Sequence, residues 1–443
     1  MKKIIALLLV LAMAIGLIAC GNNSDAAADT TAQTQTPANN DATDTAGDTA
    51  AKPYEGQTIS FWIPPYTGED QSYWDERLAA FEEETGCTVE VSIVPWGDMS
   101  TKYMAGFMSG EGPDVFYMTN ELMYDMVDAG ACLELSPYFT DEEIADQLYW
   151  SAGYQLGGQY AAPFSAGVSF RGVTYNMDLL EAAGVTEVPT TWDQVVAAGQ
   201  KIKDAGVCEY SVLYPMAGDN ASLLVSFFPT LWSAGGDLVN SDGTEVTLNT
   251  PEALAAMQYL YDLTYTYEIL SKDCTGIDGT AALELFKEGK VAICFLEPGY
   301  VMTEDLPFNW TAALGVSDGT HDLKTFSPVD TMSVNANSEN IDASIALLKF
   351  LISVDQRDNF RQTNYPTLAK MNAAAADISY EPAFINDCMA QVSTSANTMP
   401  VCKGVSTMTE AIGTNLQLMM MGELTPAEAL EAMQNACTIA LEG

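Results

Sequence analysis

Apolar and polar residues near the start of the chain follow strand-like and helix-like patterns in turn. Five consecutive segments show this order, namely 58–63 (TISFWI), 71–86, 88–94 (TVEVSIV), 98–109 and 114–118 (DVFYM). In the first helical segment, Trp74, Leu78 and Phe81 stand at positions i, i+4 and i+7, and Gly86 ends the pattern. The order strand, helix, strand, helix, strand predicts a largely parallel sheet covered by helices.

A second region of the chain repeats this alternation. Strand patterns occupy 168–176, 209–214 and 290–296, and helix patterns occupy 189–206, 221–234, 251–268 and 426–441. Thr191 and Gln194 have the spacing of a capping box at the start of one of these helices. The stripe of Leu430, Met433 and Cys437 in the last helix is most simply core packing. No repeat of ~20 to 50 residues is visible, which argues against solenoids and propellers.

The N-terminus has the pattern of an export signal. Two lysines precede an apolar run from Ile4 to Ile18, which is shorter than the ~18 to 20 residues that a membrane-spanning helix needs. The motif LIAC followed by glycine resembles the bacterial lipoprotein signal, in which the cysteine is lipidated and begins the mature chain. We therefore expect a signal peptide at 1–19 and a lipid anchor at Cys20. The alternative is an ordinary secreted protein with an accidental cysteine.

Residues 20–52 form a polar segment behind this cysteine. They are almost entirely alanine, threonine, aspartate, asparagine, glutamine and glycine. Such a composition buries too little apolar surface to offset the entropy lost on ordering. We expect a disordered acidic tether with a reach of roughly 30 Å.

The overall composition limits the size of the fold and the class of partner. The chain has 443 residues, of which 48% are hydrophobic, and this is enough for two cores of ordinary size. Its formal net charge of −43 argues against nucleic acid, anionic lipid surfaces and polyanionic substrates as partners. Neutral and cationic ligands remain as possible partners. The excess of acidic residues is explained equally well if it only keeps an exported protein soluble.

Nine cysteines and one histidine limit the chemistry. No two cysteines form a C-x-x-C motif, so a zinc or redox motif is unsupported, and we expect the cysteines after Cys20 to be mostly free and buried. A histidine-based nucleophile would have to use His321, whose polar surroundings predict an exposed turn. We expect no catalytic residue, no metal and no cofactor.

Aromatic and polar residues recur directly after the predicted strands. Examples are Trp96 and Asp98 after 88–94, and Glu297 and Tyr300 after 290–296. In open α/β sheets, ligands bind beyond the carboxyl ends of the strands. Rings with polar neighbours suit a carbohydrate, which has apolar faces and hydroxyls that need fixed partners. For any single aromatic residue, core packing is the simpler explanation.

Several segments, taken together and in order, resemble a known family. They are GPDVFYM (112–118), TYNMDLLEAAGVTEVPTTWDQVVAAGQKI (174–202), AGGDLV (234–239), FKEGKVAICFLEPGY (286–300) and GELTPAEALEAM (422–433). They are similar to segments of the extracellular solute-binding proteins of bacterial ABC importers, of the maltose-binding-protein-like type. Trp192 lies in the strongest of these matches, where it is expected to pack rather than to contact ligand.

The resemblance implies an α/β fold of the two-lobe periplasmic-binding-protein type (type II). Each lobe is a mainly parallel sheet flanked by helices, and a hinge between the lobes closes them on the ligand. By analogy, the N-terminal lobe comprises 53–165 plus 320–360, and the C-terminal lobe comprises 166–319 plus 361–443.

The ligand residues follow partly from the resemblance and partly from the strand-end pattern. The expected set is Trp62, Tyr66, Thr67, Trp96, Asn120, Glu121, Phe164, Ser169, Arg171, Asp219, Asn220, Glu297, Tyr300 and Asp330. Maltose-type members have aromatic residues ahead of their C-terminal helices, where this chain has KGVSTMTEAI (403–412). This difference argues against maltodextrin, and Asp330 in SPVDTMSV (327–334) is the expected compensating acceptor.

The resemblance implies a monomeric, lipid-anchored receptor on the extracellular face of the bacterial cytoplasmic membrane. It would capture a carbohydrate, most simply a neutral oligosaccharide, and deliver it to the transmembrane permease of an ABC transporter. No enzymatic activity and no nucleic acid partner are expected. The alternatives are a lipid-anchored glycoside hydrolase, a cell-wall glycan-binding adhesin and a binding protein for a solute other than sugar.

Overall fold

The computed structural model describes residues 51–65, 70–166, 170–218, 220–302, 304–364 and 369–443. The expected signal peptide, Cys20 and nearly all of the expected tether lie outside these residues. Four expected ligand residues also lie outside them, namely Tyr66, Thr67, Ser169 and Asp219. Within the described ranges, no helix has the length and apolar character that crossing a bilayer requires.

The described residues form an alternating series of strands and helices. The strands are β1 (Thr58–Ile63), β2 (Thr88–Ile93), β3 (Val115–Met118), β4 (Tyr154–Gln155), β5 (Gly158–Gln159), β6 (Ala162–Ala166), β7 (Gly172–Asn176), β8 (Tyr210–Leu213), β9 (Val291–Leu296), β10 (Trp310–Ala313), β11 (Thr325–Phe326), β12 (Val329–Val334) and β13 (Ala396–Asn397). The helices are α1 (Asp70–Thr85), α2 (Met99–Ser109), α3 (Asn120–Asp128), α4 (Asp141–Asp146), α5 (Met177–Ala182), α6 (Trp192–Ala205), α7 (Asn220–Val225), α8 (Phe227–Ser233), α9 (Pro251–Tyr265), α10 (Gly279–Lys287), α11 (Pro298–Met302), α12 (Ile341–Leu351), α13 (Val354–Thr363), α14 (Phe384–Ser395), α15 (Val405–Met421) and α16 (Pro426–Glu442).

Two separate sheets each organise one lobe. The first lobe has a five-stranded sheet in the order β2-β1-β3-β12-β6, and the second has a four-stranded sheet in the order β10-β7-β9-β8. The buried apolar residues form two large clusters that match the sheets. One draws on 59–164 and 332–360, and the other on 173–326 and 399–437. The expected two-lobe α/β fold is confirmed.

The sheets are mixed, whereas the sequence predicts mainly parallel ones. In the first sheet β1 pairs in parallel with β2 and β3, but β12 pairs antiparallel with β3 and β6. In the second, β8 and β9 are parallel, but β7 is antiparallel to β9 and β10. The reason is chain connectivity. The chain enters the second lobe from the first through β7, and it returns to the first lobe through β12.

This connectivity decides which residues face the junction of the lobes. β12 starts beside the ends of β3 and β6, since Thr331 pairs with Met118 and Val329 pairs with Ala166. β7 starts beside the end of β9, since Gly172 pairs with Leu296. The carboxyl ends of the other strands and the starts of these two therefore lie along the same edges.

The chain passes between the lobes in three stretches of its sequence. The first leads from β6 to β7, the second from β10 to β12, and the third follows α13. β11 in the second stretch pairs in parallel with β13, which follows α14. The lobe boundary expected at residues 360 and 361 falls inside α13, whose Phe360 packs in the core of the first lobe.

Local sequence signals account for most element boundaries, with two differences. Thr191 caps α6 by accepting a bond from the Gln194 amide at 3.4 Å, but the Gln194 side chain accepts from the Thr190 amide at 2.8 Å, one residue earlier than a capping box requires. The helix expected at 221–234 is two short helices, α7 and α8. Pro229 has no amide hydrogen to donate to Val225, so a single continuous helix is disfavoured there.

Candidate functional site

An ion pair links the start of β7 to the end of β9 at the junction of the lobes. Arg171 pairs with Glu297, whose side chain is only 3% exposed. The backbone of Arg171 is fixed as well, because its amide donates to Phe326 at 2.9 Å and its carbonyl accepts from Thr325 at 2.7 Å. A guanidinium is therefore held at one position between the second crossing stretch and the sheet of the second lobe.

Asp330 lies at the start of β12 beside an irregularity in strand pairing. Met332 and Thr331 pair with Ala162 and Pro163, but Asp330 pairs with Ser165, so Phe164 is the extra residue of a β-bulge. The bulge places a serine opposite Asp330 where regular pairing would place a phenylalanine. The Ser165 hydroxyl donates to the Asp330 carboxylate at 2.9 Å.

The environment of Asp330 disfavours its charge. Burial raises the pKa of Asp330 to about 6, and the nearby Glu121 acts in the same direction. The Tyr117 hydroxyl, the hydrogen bond from Ser165 and the charge of Arg171 lower the pKa. The two protonation states of Asp330 are therefore in balance near pH 6, and the carboxylate is mostly ionised at neutral pH.

Glu121 connects the two lobes. It lies in the first turn of α3, directly after β3, and its Oε1 accepts a hydrogen bond of 3.2 Å from Asn220 of the second lobe. Burial lowers the pKa of the Arg171 guanidinium, while Tyr300, Asp330, Tyr117 and Glu121 act in the opposite direction. We call Arg171, Glu297, Asp330, Glu121, Tyr117 and Tyr300 the Arg171 cluster.

Two partly exposed aromatic rings belong to this region. Trp96 follows β2 and is 47% exposed, and Tyr300 follows β9 and is 44% exposed. The Trp96 indole donates to the Pro65 carbonyl at 3.0 Å, and its ring meets Tyr117 edge to face at 5.6 Å. Exposed rings beside hydrogen-bonding groups of the cluster present both surfaces that a carbohydrate ring needs.

Three other expected ligand residues lie elsewhere or pack differently. Trp62 is half-buried beneath α2, with the Tyr103 ring at 5.6 Å and the Lys102 ammonium at 4.4 Å. Asn120 is half-buried at the first position of α3. Phe164 is 2% exposed and packs on Phe360 at 5.1 Å in the core of the first lobe, because the bulge turns it inward. We therefore leave Phe164 out of the ligand contacts.

The sequence pattern missed Tyr117 and Ser165. Both are buried. Ser165 hydrogen-bonds to Asp330, and Tyr117 lowers the pKa of Asp330, but each stands inside a strand that reads only as core. Most residues expected at the site stand after a strand end or in a crossing segment, and these two do not. A polar residue within an apolar strand, such as the serine of APFSA (162–166), was the available signal.

The residues expected to have no chemical role are packed or exposed as predicted. All eight cysteines of the described ranges are free, and all except Cys208 are buried. His321 is exposed and bonds to Asp318 at 2.8 Å. Trp192 stacks on Tyr259 at 4.4 Å. The described residues contain no group of three or more histidine, cysteine, aspartate or glutamate side chains that could hold a metal ion.

A family comparison decides the class of protein. The family model of bacterial extracellular solute-binding proteins matches residues 65–358, more than half of the chain. The chain belongs to this family. The resemblance seen in the sequence is confirmed, and the Arg171 cluster of this solute-binding protein lies at the junction of its two lobes.

Two relatives illustrate the range of the family. A Brucella abortus protein described as a binding protein is 28% identical over 69% of this chain and 74% of the relative. The diacetylchitobiose binding protein of Streptomyces coelicolor is 27% identical over 65% of this chain and 62% of the relative.

Solved structures share the two-lobe fold. An ABC transporter solute-binding protein from Thermotoga lettingae, bound with α-D-tagatose, has a TM-score of 0.74 at 20% identity, covering 87% of this chain and 100% of that chain. A T. maritima protein bound to maltose also has a TM-score of 0.74 at 20% identity, covering 86% and 99%. At this identity the likeness concerns the fold alone.

Proposed function

We propose that this protein captures a carbohydrate between its two lobes and delivers it to the permease of an ABC transporter. The observation that carries the proposal is the Arg171 cluster, in which charged groups from both lobes meet beside the exposed rings of Trp96 and Tyr300. Carboxylates accept bonds from sugar hydroxyls, the guanidinium donates, and the rings cover the apolar faces of the sugar.

The charge of the site narrows the ligand class. Glu121, Glu297 and Asp330 surround the single guanidinium of Arg171. An added ligand carboxylate or phosphate would meet an excess of like charge in a partly desolvated cleft, which is unfavourable. A neutral oligosaccharide fits better, and relatives are named for diacetylchitobiose, arabinooligosaccharide and maltotriose.

Calorimetric titration against a panel of neutral oligosaccharides and monosaccharides tests the proposal. We expect one neutral glycan to bind with a stoichiometry of about one, and its uronic acid counterpart to bind at least tenfold more weakly because of the charge excess. Silence across the panel, combined with tight binding of a peptide or polyamine, would contradict the sugar proposal. Release of product during long incubation would instead support a hydrolase.

Trp96→Ala should weaken binding of that glycan. The ring is exposed beside the cluster, and loss of a stacked ring costs about 1–3 kcal/mol by analogy with bases stacked on aromatic side chains. Tyr154→Ala is the matched control, because Tyr154 is also an exposed aromatic residue but lies in the β4–β5 hairpin. Equal affinities of wild type and Trp96→Ala, with both proteins folded, would remove Trp96 from the site.

We propose that a lipid anchor at Cys20 holds the protein on the extracellular face of the cytoplasmic membrane. The support is the LIAC motif and the polar tether behind it. Tethering raises the effective concentration of the receptor near the permease. Cys20→Ser should move the protein from the membrane fraction to the soluble fraction, with Cys208→Ser as the control. A Cys20→Ser protein that stays with the membranes would contradict the anchor.

A further inference from the structure

Two neighbouring strands of the first lobe carry hydroxyl groups that act on Asp330. Ser165 on β6 stands directly opposite Asp330 on β12, and Tyr117 on β3 is paired with Met332, two residues further along β12. The Ser165 hydroxyl donates to the Asp330 carboxylate at 2.9 Å, and the Tyr117 hydroxyl lowers the pKa of Asp330 from the other neighbouring strand. The three side chains form a polar row across three strands at the edge that faces the second lobe.

We propose that Tyr117 and Ser165 are positioning residues that hold the Asp330 carboxylate ionised and oriented as a ligand acceptor. This inference rests on the proposed carbohydrate binding. A carboxylate offers about four acceptor positions, and the Ser165 hydroxyl occupies one of them. The remaining acceptor positions of the carboxylate can bind ligand hydroxyls. The polar row of Tyr117, Asp330 and Ser165 fixes the direction in which these positions point.

The bulge makes this row possible. With regular pairing, Phe164 would stand opposite Asp330 and offer no donor. The inserted residue turns Phe164 into the core, where it packs on Trp74 and Phe360, and brings Ser165 to the row. Bulges re-aim side chains in this way next to functional sites. The Tyr117 ring is held in turn by the edge of Trp96 at 5.6 Å.

The surroundings make the two hydroxyls necessary. From α3, Glu121 faces Asp330 with like charge, and from the first crossing stretch Arg171 faces it with opposite charge. Glu297, directly after β9, neutralises much of the positive charge of Arg171, and Tyr300 lies close to Arg171. Burial adds to the cost of a charge at Asp330. Without the hydroxyls of Tyr117 and Ser165, which lower the pKa of Asp330, the protonated acid would be favoured at higher pH.

The pH dependence of capture follows from this arrangement. The pKa of Asp330 is about 6, so affinity for a ligand that needs the carboxylate falls as pH drops through 6. Loss of one hydroxyl raises this pKa. For a rise of about one unit, the ionised fraction at pH 6 falls about fivefold, whereas at pH 8 it hardly changes.

The decisive variants are Tyr117→Phe and Ser165→Ala. The first keeps the ring against Trp96 and removes only the hydroxyl. Tyr103→Phe is the matched control, because it removes another buried tyrosine hydroxyl of the same lobe, which donates to the Trp62 carbonyl at 3.5 Å. Asp330→Asn supplies the reference that cannot titrate.

The first measurement needs no ligand. Carbon NMR of aspartate carboxylates, with the Asp330 signal identified by its absence in Asp330→Asn, gives the pKa directly. We expect it to rise in Tyr117→Phe and in Ser165→Ala, and to stay at the wild-type value in Tyr103→Phe. An unchanged pKa in both row variants would overturn the proposal, whatever the protein binds.

The second measurement is the affinity for the best neutral glycan at pH 6 and pH 8. We expect Tyr117→Phe to bind about fivefold more weakly than wild type at pH 6 and nearly equally at pH 8, and Asp330→Asn to show no pH dependence in this range. Identical profiles for wild type and Asp330→Asn would overturn the role of Asp330 while leaving carbohydrate binding intact. Binding of no glycan at all would contradict the proposed function instead.

Discussion

Arg171→Met should lower the free energy of unfolding by about 3–5 kcal/mol. The substitution leaves Glu297, which is 3% exposed, as a buried carboxylate without its cation. Methionine fills much of the same volume, so the loss reflects the uncompensated charge rather than a cavity. Urea denaturation at pH 7.5, with the midpoint and slope compared to wild type, gives the change directly.

The double variant Arg171→Met/Glu297→Leu is the control for this result. With both charges removed, no ion is left buried, and replacing a buried pair by apolar residues is often neutral or stabilising. We expect most of the lost stability to return, while glycan binding stays impaired because the donor is gone. A double variant as unstable as Arg171→Met would show that the arginine acts through packing and not through its pair with Glu297.

Asp330→Asn should have the opposite effect on the unliganded protein and stabilise it by about 1–3 kcal/mol at pH 7.5. The pKa of Asp330 is raised in the folded protein from 3.8 to about 6, so ionisation there opposes folding. Each unit of pKa difference corresponds to about 1.4 kcal/mol. Asparagine has nearly the same shape and carries no charge.

The sign of the pH dependence follows from the raised pKa. Below pH 4 the aspartic acid is protonated in both states and costs the fold nothing. Its cost grows as pH rises from 4 to 6 and is constant above, because the folded protein then holds a charge that burial disfavours. Asp330→Asn should therefore gain stability at pH 7.5 and none at pH 4. The control is Asp377→Asn, at a side chain that is 99% exposed.

A gain of the same size at both pH values would contradict this account, since it would have no link to ionisation. A gain confined to high pH, together with weaker glycan binding, would show that Asp330 is kept for its function at a cost in stability. Stability lost in this way is common at binding sites.

The first strands of the first lobe could be predicted from the sequence to within one residue. The strand predicted at 58–63 is β1, and those predicted at 88–94 and 114–118 differ from β2 and β3 by one residue. In these segments the apolar residues recur with a clear helical or strand period, and the elements have clear end signals, such as Gly86 after α1. Local periodicity and end signals are sufficient to predict the bounds of such elements.

The direction of β12 and the bulge in β6 could not be read in the same way. Whether a strand runs parallel or antiparallel depends on where the chain enters the lobe, which is a long-range property. The serine of APFSA marks a polar position in an apolar strand, but the segment does not show that Phe164 is inserted or that Ser165 meets Asp330. The positions of Glu121, Glu297 and Tyr300 at the junction could be predicted, because they depend only on where a strand ends.

Hydrogen exchange with and without the best neutral glycan tests the central claim most directly. If the ligand is held between the lobes, it should slow amide exchange on both sides of the cleft, around 117–123 at the end of β3 and around 220–225 and 297–302 in the second lobe. The contradicting result is protection of residues in only one lobe by a sugar whose binding calorimetry has established. Such a result would show that the ligand is not captured between closing lobes.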